Sequence, residues 1–511
     1  MLYQNKARRS MIHRTEIARR LTKYNVALLA ISLLGFFLRL YHLGKESLWG
    51  DEAYSFLVSK VGLEWIAHLT SFDRHPPLYY YFLHIWMKLF GTSDFALRSL
   101  SLVFGVLAIP MIYLLGRRLF NEEVGLISAL ILAISPFNVE YSQEVRMYSL
   151  LLFLALLSMY FFVRFLERDS RAVSVGYVLS TALMLYAENF GLFVLVAQNL
   201  FVAGLLLRSS QRRSLLKRWI LIQAITIILF APWISVLSYQ ASSAESIVSI
   251  SQANPMTLLL NLAAGTLGTY YPSVTLLILF LGLAVFSLFI YRRAAQNAFK
   301  GYAWEDKKNL AKVCLLFVWL FSVFGLPLLL LALVSKTITI ARYVIVGSAP
   351  LFLLAAKGIR NINYNYAKLG VIAVIVILSG ANLQTYYGTT LHETTRDAVN
   401  FVNENAQSGD LVIVSQWYSI VFQYYSFRPD LTVKVFPANT SDLAKTVDEN
   451  MKELAADTNG HGRVWVVHTL WEPRDALSQA FFDYFGRSYN LVSESFVSPQ
   501  NPEVYLYVQR V

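Results

Sequence analysis

The chain has 511 residues, 56% of them hydrophobic and only 15% charged, with a net charge of +12. A soluble globular domain has about a quarter of its residues charged, so a soluble protein is excluded and the class is a polytopic membrane protein. The single cysteine, Cys314, excludes an intrachain disulfide and a thiolate metal cluster; inside the run VCLLFVWLF it reads as a small packing residue.

In chain order, KARRSMIHRTEIARRLTK makes residues 1–24 a basic cytoplasmic arm. It ends in no small-residue cleavage site, so the first span is expected to be retained. Eleven spans are read at 25–43, 95–115, 124–140, 147–164, 174–187, 191–207, 219–237, 274–290, 312–334, 343–357 and 369–387. Lys and Arg crowd the segments on one side: seven lie in 1–24 and five in RSSQRRSLLKR. The other side holds five across 44–98, then Arg146, Lys336 and Arg342. This is the positive-inside pattern, so the excess charge reports topology and no nucleic-acid partner is needed. Counting HPPLYYYFLHIWMKLFG (75–91) as a span would reverse every later loop. It is therefore expected to be a juxtamembrane helix at the outer surface, as is GLEWIAHLTSF (62–72).

After residue 388 charge mixes with short β-branched runs. Strands are predicted at 411–414, 432–436, 464–468 and 504–510, with helices between the first three, which makes 388–511 an extracytoplasmic α/β domain. It lacks a Gly-rich phosphate loop, so it reads as a binding or stabilising module. The membrane domain is 25–387, with an outer loop at 44–94.

Three clusters share the outer side. LWGDEAYS brings Trp49, Asp51, Glu52 and Tyr54, followed by Asp73, Arg74, His75, Pro76 and Pro77; SQEVRMYSL brings Glu144, Arg146 and Tyr148; KTITIARY brings Lys336, Arg342 and Tyr343. Ionisable groups at a membrane face are functional candidates. Arginines offer a forked donor to phosphate, and a carboxylate can take a proton from an attacking hydroxyl, so the pattern suits chemistry on a charged lipid headgroup. Residue types alone leave alternatives open. Asp51 and Glu52 could be solvated acids, Arg146 a helix anchor and His75 a turn residue.

The stretches LWGDEAYS, HPPLYYYFLHIWMKLFG, YSQEVRMYSLL, NFGLFVLVAQN and ARYVIVGSAPLFLLAAKGI together resemble the GT-C superfamily of polytopic glycosyltransferases. The branch is that of the protein O-mannosyltransferases and the lipid A aminoarabinose transferases, and the similarity runs through the first ~390 residues. The resemblance implies a multi-pass enzyme of the bacterial-type inner membrane. Its partners would be a sugar donor on polyprenyl phosphate, membrane lipid, and a protein, lipid or glycan acceptor, with transfer by inversion on the extracytoplasmic side. It makes Asp51 the base with Glu52 as its partner, and gives the donor phosphate to Arg146, Arg342 and His75. Arg74, Tyr54, Glu144, Tyr148, Lys336, Tyr343 and Glu188 are further site candidates. Where relatives carry a His-Tyr type pair before FGLF this chain has AENFGLF, and Glu188 there reads as a loop cap. No cofactor is required; if a divalent cation is used, Asp51 and Glu144 are the oxygen ligands expected to take Mg²⁺ or Mn²⁺. The rival from another class is a flippase for lipid-linked sugar, which would place paired polar groups at the midplane; here the ionisable groups crowd one face.

Overall fold

The structure is a computed structural model that describes residues 22–73, 75–168, 170–208, 212–243, 278–287, 304–334, 341–389, 395–437, 446–468, 476–495 and 503–510. Backbone packing divides the chain into two compact units. The first holds residues up to 41 with 63–86 and 98–388, the second 42–62 with 87–97 and 389–511. The outer-loop segments 42–62 and 87–97, assigned from sequence to the membrane domain, thus share a unit with the C-terminal residues.

Among the described residues, seven helices are long and apolar enough to cross a membrane: α1 (Thr22–Leu40), then α5, α8, α11, α13, α14 and α15 named below. Of these, α5 (Asp94–Leu119) carries Pro110, α11 (Arg212–Ser243) Pro232, and α13 (Trp304–Val334) Pro327. An internal proline is tolerated where neighbouring helices re-satisfy the freed carbonyls. A 3-10 turn (Ala341–Gly347) leads into α14 (Ser348–Arg360), buried along nearly its whole length, and α15 (Asn365–Gly388) follows. Three of the remaining predicted spans are shorter helices, α6 (Glu122–Ile134), α9 (Arg171–Ala187) and α10 (Gly191–Arg208); of the span predicted at 274–290 the described residues are the helix α12 (Ile278–Ser287), and its ends lie outside them. The two predicted juxtamembrane stretches are the helices α3 (Leu63–Phe72) and α4 (Leu78–Phe90).

The span expected over 124–140 is broken. Pro136 cannot donate a helical hydrogen bond and pushes Ser135 out of the helical region. Accordingly α6 stops at Ile134, and Ser135 begins a second, one-turn helix, α7 (Pro136–Glu140), accepting from the Asn138 N–H. Carbonyls freed at such a break must find donors inside the membrane. Arg39 of α1, fully buried, supplies them, giving Nη1 to the Ala133 carbonyl at 3.0 Å and Nη2 to that of Leu132 at 3.1 Å. Cys314 also departs from expectation: it is exposed on α13 rather than packed.

The second unit contains a five-stranded sheet of order β2-β1-β3-β5-β4. β1 (Leu411–Ser415), β2 (Thr432–Phe436) and β3 (Arg463–His468) are parallel; β5 (Glu503–Gln509) runs antiparallel to β3 and to β4 (Tyr489–Ser495). β1 is buried on both faces, as an apolar parallel strand should be. Val412 and Val414 meet α16 (Thr395–Asn405) and α17 (Gln416–Tyr425) on one face. Leu411 and Ile413 meet α18 (Val447–Thr458) and α19 (Ala476–Ser488) on the other. The sequence reading missed β4, whose residues YNLVSES are largely exposed at the sheet edge and lack the apolar alternation that betrays a strand.

Candidate active site

In the first unit the break at Pro136 turns the chain so that residues 141–147 form a buried irregular segment between α7 and α8 (Tyr148–Glu167). Irregular backbone at such a place survives only when its polar groups are met by protein. Ser142 Oγ accepts from Arg39 Nε at 3.1 Å. Gln143 donates to the carbonyls of Arg39 and Tyr41 at 2.8 and 2.7 Å and accepts from the Tyr386 hydroxyl at 2.6 Å. The Arg146 carbonyl accepts from Ser101 Oγ at 3.0 Å, and that hydroxyl lies 2.8 Å from Tyr79 Oη. The backbone that carries Glu144 and Arg146 is therefore fixed from three helices.

Arg146, His75 and Glu188 form a buried chain, at 3%, 5% and 2% exposure. Arg146 Nη2 lies 2.8 Å from His75 Nε2, and His75 Nδ1 lies 2.6 Å from Glu188 Oε2. The partners dictate the tautomer. A guanidinium has donors only, so Nε2 must be the bare, accepting nitrogen. The proton then sits on Nδ1 and is donated to the Glu188 carboxylate. His75 is a neutral imidazole held between a cation and an anion, and Glu188 is the group that selects its tautomer. Sequence had read Glu188 as a loop cap. Its backbone does end α9, donating to the Met184 carbonyl, while its carboxylate has the separate task of binding His75.

Aromatic rings wall this chain. The Tyr343 ring lies 5.9 Å from His75, 6.0 Å from Tyr148, and stacks on Phe190 at 5.1 Å and 21°. The Arg342 guanidinium sits 5.9 Å from the Tyr148 ring and 5.8 Å from the Tyr343 ring. At such distances the guanidinium is within reach of a cation–π attraction to both rings. Arg146, Arg342, His75, Tyr148, Tyr343 and Glu188 are thus brought together from α8, α9, the 3-10 turn and the approach to α4. Tyr79, Ser101 and Phe190 were not foreseen. They carry no charge, and only their neighbours in space give them a role.

The second unit holds the acidic pair on α2 (Gly50–Lys60). Glu52, fully buried, reaches back to the Trp49 N–H at 3.3 Å and so closes the start of its own helix. Asp51 is partly exposed in the first turn, as is Tyr54 one turn later. The helix is pinned to α17: the Phe56 ring packs edge-on to Tyr424 at 4.8 Å, and the Leu48 N–H donates to Tyr425 Oη at 2.7 Å. Asp94 gathers the same elements. It accepts from Tyr424 and Tyr425 hydroxyls at 2.8 Å each and from Arg396 Nη1 at 3.1 Å. The C-terminal domain therefore grips the segment that bears the acidic pair.

Arg74 and Lys336 lie outside the described residues. Asp51 and Glu144, the candidate cation ligands, belong to different units. Among the described residues no group of three or more His, Cys, Asp or Glu side chains is gathered as a metal cage requires.

Residues 74–236 match the family model described as dolichyl-phosphate-mannose-protein mannosyltransferase. No curated protein matches the chain. Among solved structures, ArnT from Cupriavidus metallidurans in the apo state aligns with a TM-score of 0.61 at 13% identity, covering 95% of this chain and 98% of that one. The same protein bound to undecaprenyl phosphate gives 0.61 at 12% over the same shares. The archaeal oligosaccharyltransferase AglB from Archaeoglobus fulgidus, in complex with an inhibitory peptide and a dolichol-phosphate, gives 0.56 at 13%, covering 88% of this chain and 70% of that one. At such identities the likeness establishes the fold alone, the one this chain shares with ArnT and AglB.

Proposed function

We propose that this chain, which shares its fold with ArnT and AglB, is a membrane glycosyltransferase of the GT-C type that transfers a sugar, with inversion, from a polyprenyl-phosphate donor to an acceptor hydroxyl on the extracytoplasmic side. The observation that carries this reading is the buried chain Arg146–His75–Glu188 with Arg342 over the Tyr148 ring. Two fixed guanidinium groups suit a phosphate monoester or diester, and one is backed by a neutral imidazole that aims it. That the similar structures include ArnT with undecaprenyl phosphate and AglB with a dolichol-phosphate supports the same class of carrier here.

Each residue then has one task. The acceptor oxygen attacks the anomeric carbon as the bond to the phosphate oxygen breaks. Asp51 takes the acceptor's proton. The phosphate departs on its isoprenoid, and Arg146 and Arg342 stabilise the charge it gains. Glu52 holds the helix turn from which Asp51 projects, and the C-terminal domain holds that helix.

Asp51→Asn tests the reading. It keeps the side chain's shape but accepts no proton, so transfer in lipid should fall about 10²-fold or more while the donor still binds. Undiminished turnover would remove Asp51 from the chemistry, and loss of donor binding with turnover would make it a binding residue instead.

A further inference from the structure

A cavity of about 530 Å³ lies between α8, α9 and α11, with Phe165, Arg171, Val175, Leu179, Arg218 and Leu229 among its walls. It is remote from the site above. α8 runs from Tyr148 beside Tyr343 to Phe165 at the cavity, 17 residues or about 26 Å of helix. α9 likewise begins at Arg171 and ends at Glu188's turn. Both polar residues of charge sit at one end. Arg171 opens α9, and Arg218 lies in the second turn of α11 with its guanidinium 4.7 Å from the Phe165 ring. From there the walls are apolar, and Val175, Leu179 and Leu229 are substantially exposed along the opening.

We infer that this groove binds one anionic phospholipid, its phosphate between Arg171 and Arg218 and one acyl chain along α9 and α11. Three features select that occupant. The two arginines complement a phosphate, and Arg218 is fixed by its stacking on Phe165. The apolar track from Arg218 to Leu229 covers 11 residues, about 16 Å, which is half of the ~30 Å hydrocarbon thickness and so one leaflet deep. The volume falls in the range of sites for a single small ligand. The arginines belong to RFLERDSRA and RSSQRRSLLKR, the basic segments that the positive-inside rule assigns to the cytoplasmic leaflet, where anionic headgroups meet basic pockets between helices. A donor whose phosphate lies at Arg146 cannot also present it at the far end of α8.

The test uses the full-length protein in detergent, titrated with phosphatidylglycerol or phosphatidylcholine and read by native mass spectrometry and melting temperature. Phosphatidylglycerol should be retained at one per chain and raise the melting temperature. Arg171→Gln and Arg218→Gln should each weaken retention about 5-fold and together about 30-fold, the effect of one surface cation apiece. Leu179→Trp fills the track about two turns of helix away from Arg171, so it should cut retention as well, and it decides the matter if the arginine variants do not fold. Equal retention of both lipids, or retention indifferent to all three substitutions, would mean an annular lipid only and overturn the inference. Displacement by undecaprenyl phosphate would give the groove to the donor's carrier and overturn it too. None of these outcomes depends on glycosyl transfer, so failure here and failure of Asp51 as the base are separate results.

Discussion

Glu188 provides the sharpest test of how the phosphate-binding cluster is built. In the wild type its carboxylate accepts from His75 Nδ1 at 2.6 Å, which leaves Nε2 bare to accept from Arg146 at 2.8 Å. A hydrogen bond to a charged group contributes ~1.5–3 kcal/mol and a neutral one ~0.5–1.5. Glu188→Gln keeps an acceptor oxygen and loses the charge, so it should cost about 1 kcal/mol of stability. Glu188→Ala removes the acceptor and leaves a buried Nδ1–H without it, so about 2–3 kcal/mol should go. If that energy serves to hold Arg146 in place, donor affinity should drop about 5-fold in the Gln variant and about 30- to 150-fold in the Ala variant. The direct assay is ¹⁵N NMR of the His75 ring, in which bare and protonated nitrogens give well-separated signals. Wild type should show Nδ1 protonated and Nε2 bare; the Ala variant should show a mixture. A wild-type ring protonated at Nε2, or at both nitrogens, would refute the assignment of Glu188 as the group that sets the tautomer, because Arg146 could not then donate to Nε2.

Arg146→Ala and Arg342→Ala should each weaken donor binding by ~1.5–3 kcal/mol, and Lys at either place should restore only part because the planar fork is lost; unaltered donor titrations in both Ala variants would rule out phosphate binding. Asp94→Ala deprives Tyr424, Tyr425 and Arg396 of a shared acceptor and should destabilise the second unit by about 3 kcal/mol, breakage of a largely buried charged partner; protease nicking within residues 42–62 should rise in step with the loss of melting temperature. In the exposed pair at the end of the α17–β2 loop, Arg428 donates from Nε and Nη2 to Asp430 at 2.7 and 2.6 Å and holds that carboxyl at about 2, below its ordinary 3.8. The folded value is depressed, so the pair's contribution is present above pH 3.8 and is lost as pH falls toward 2. Titration of Asp430 by NMR should show its midpoint moving up toward 3.8 in Arg428→Gln.

Hydropathy located the long apolar helices, seven of the eleven expected spans being long enough to cross a membrane among the described residues, because a bilayer demands a long apolar segment whatever that segment packs against. It could not place the end of α6, since a proline inside an apolar run either kinks a helix or stops it. The outcome turned on Arg39, whose guanidinium meets the carbonyls that the break at Pro136 releases. Short apolar, β-branched runs likewise marked the central strands of the sheet, whereas β4 owes its existence to pairing with β5 and has no pattern of its own. The candidate site follows the same division. Asp51, Arg146 and Arg342 stood out as charges beside a membrane, where any ionisable group is costly. That His75 is neutral, that Glu188 chooses its tautomer, that Ser101 and Tyr79 fix the Arg146 backbone, and that Asp94 ties α2 to the C-terminal domain depend on pairs separated by between 22 and 331 residues. Spacing along the chain carries information about neighbours on one helix or strand. Which polar groups must satisfy one another once water is excluded is decided only when distant segments are buried together.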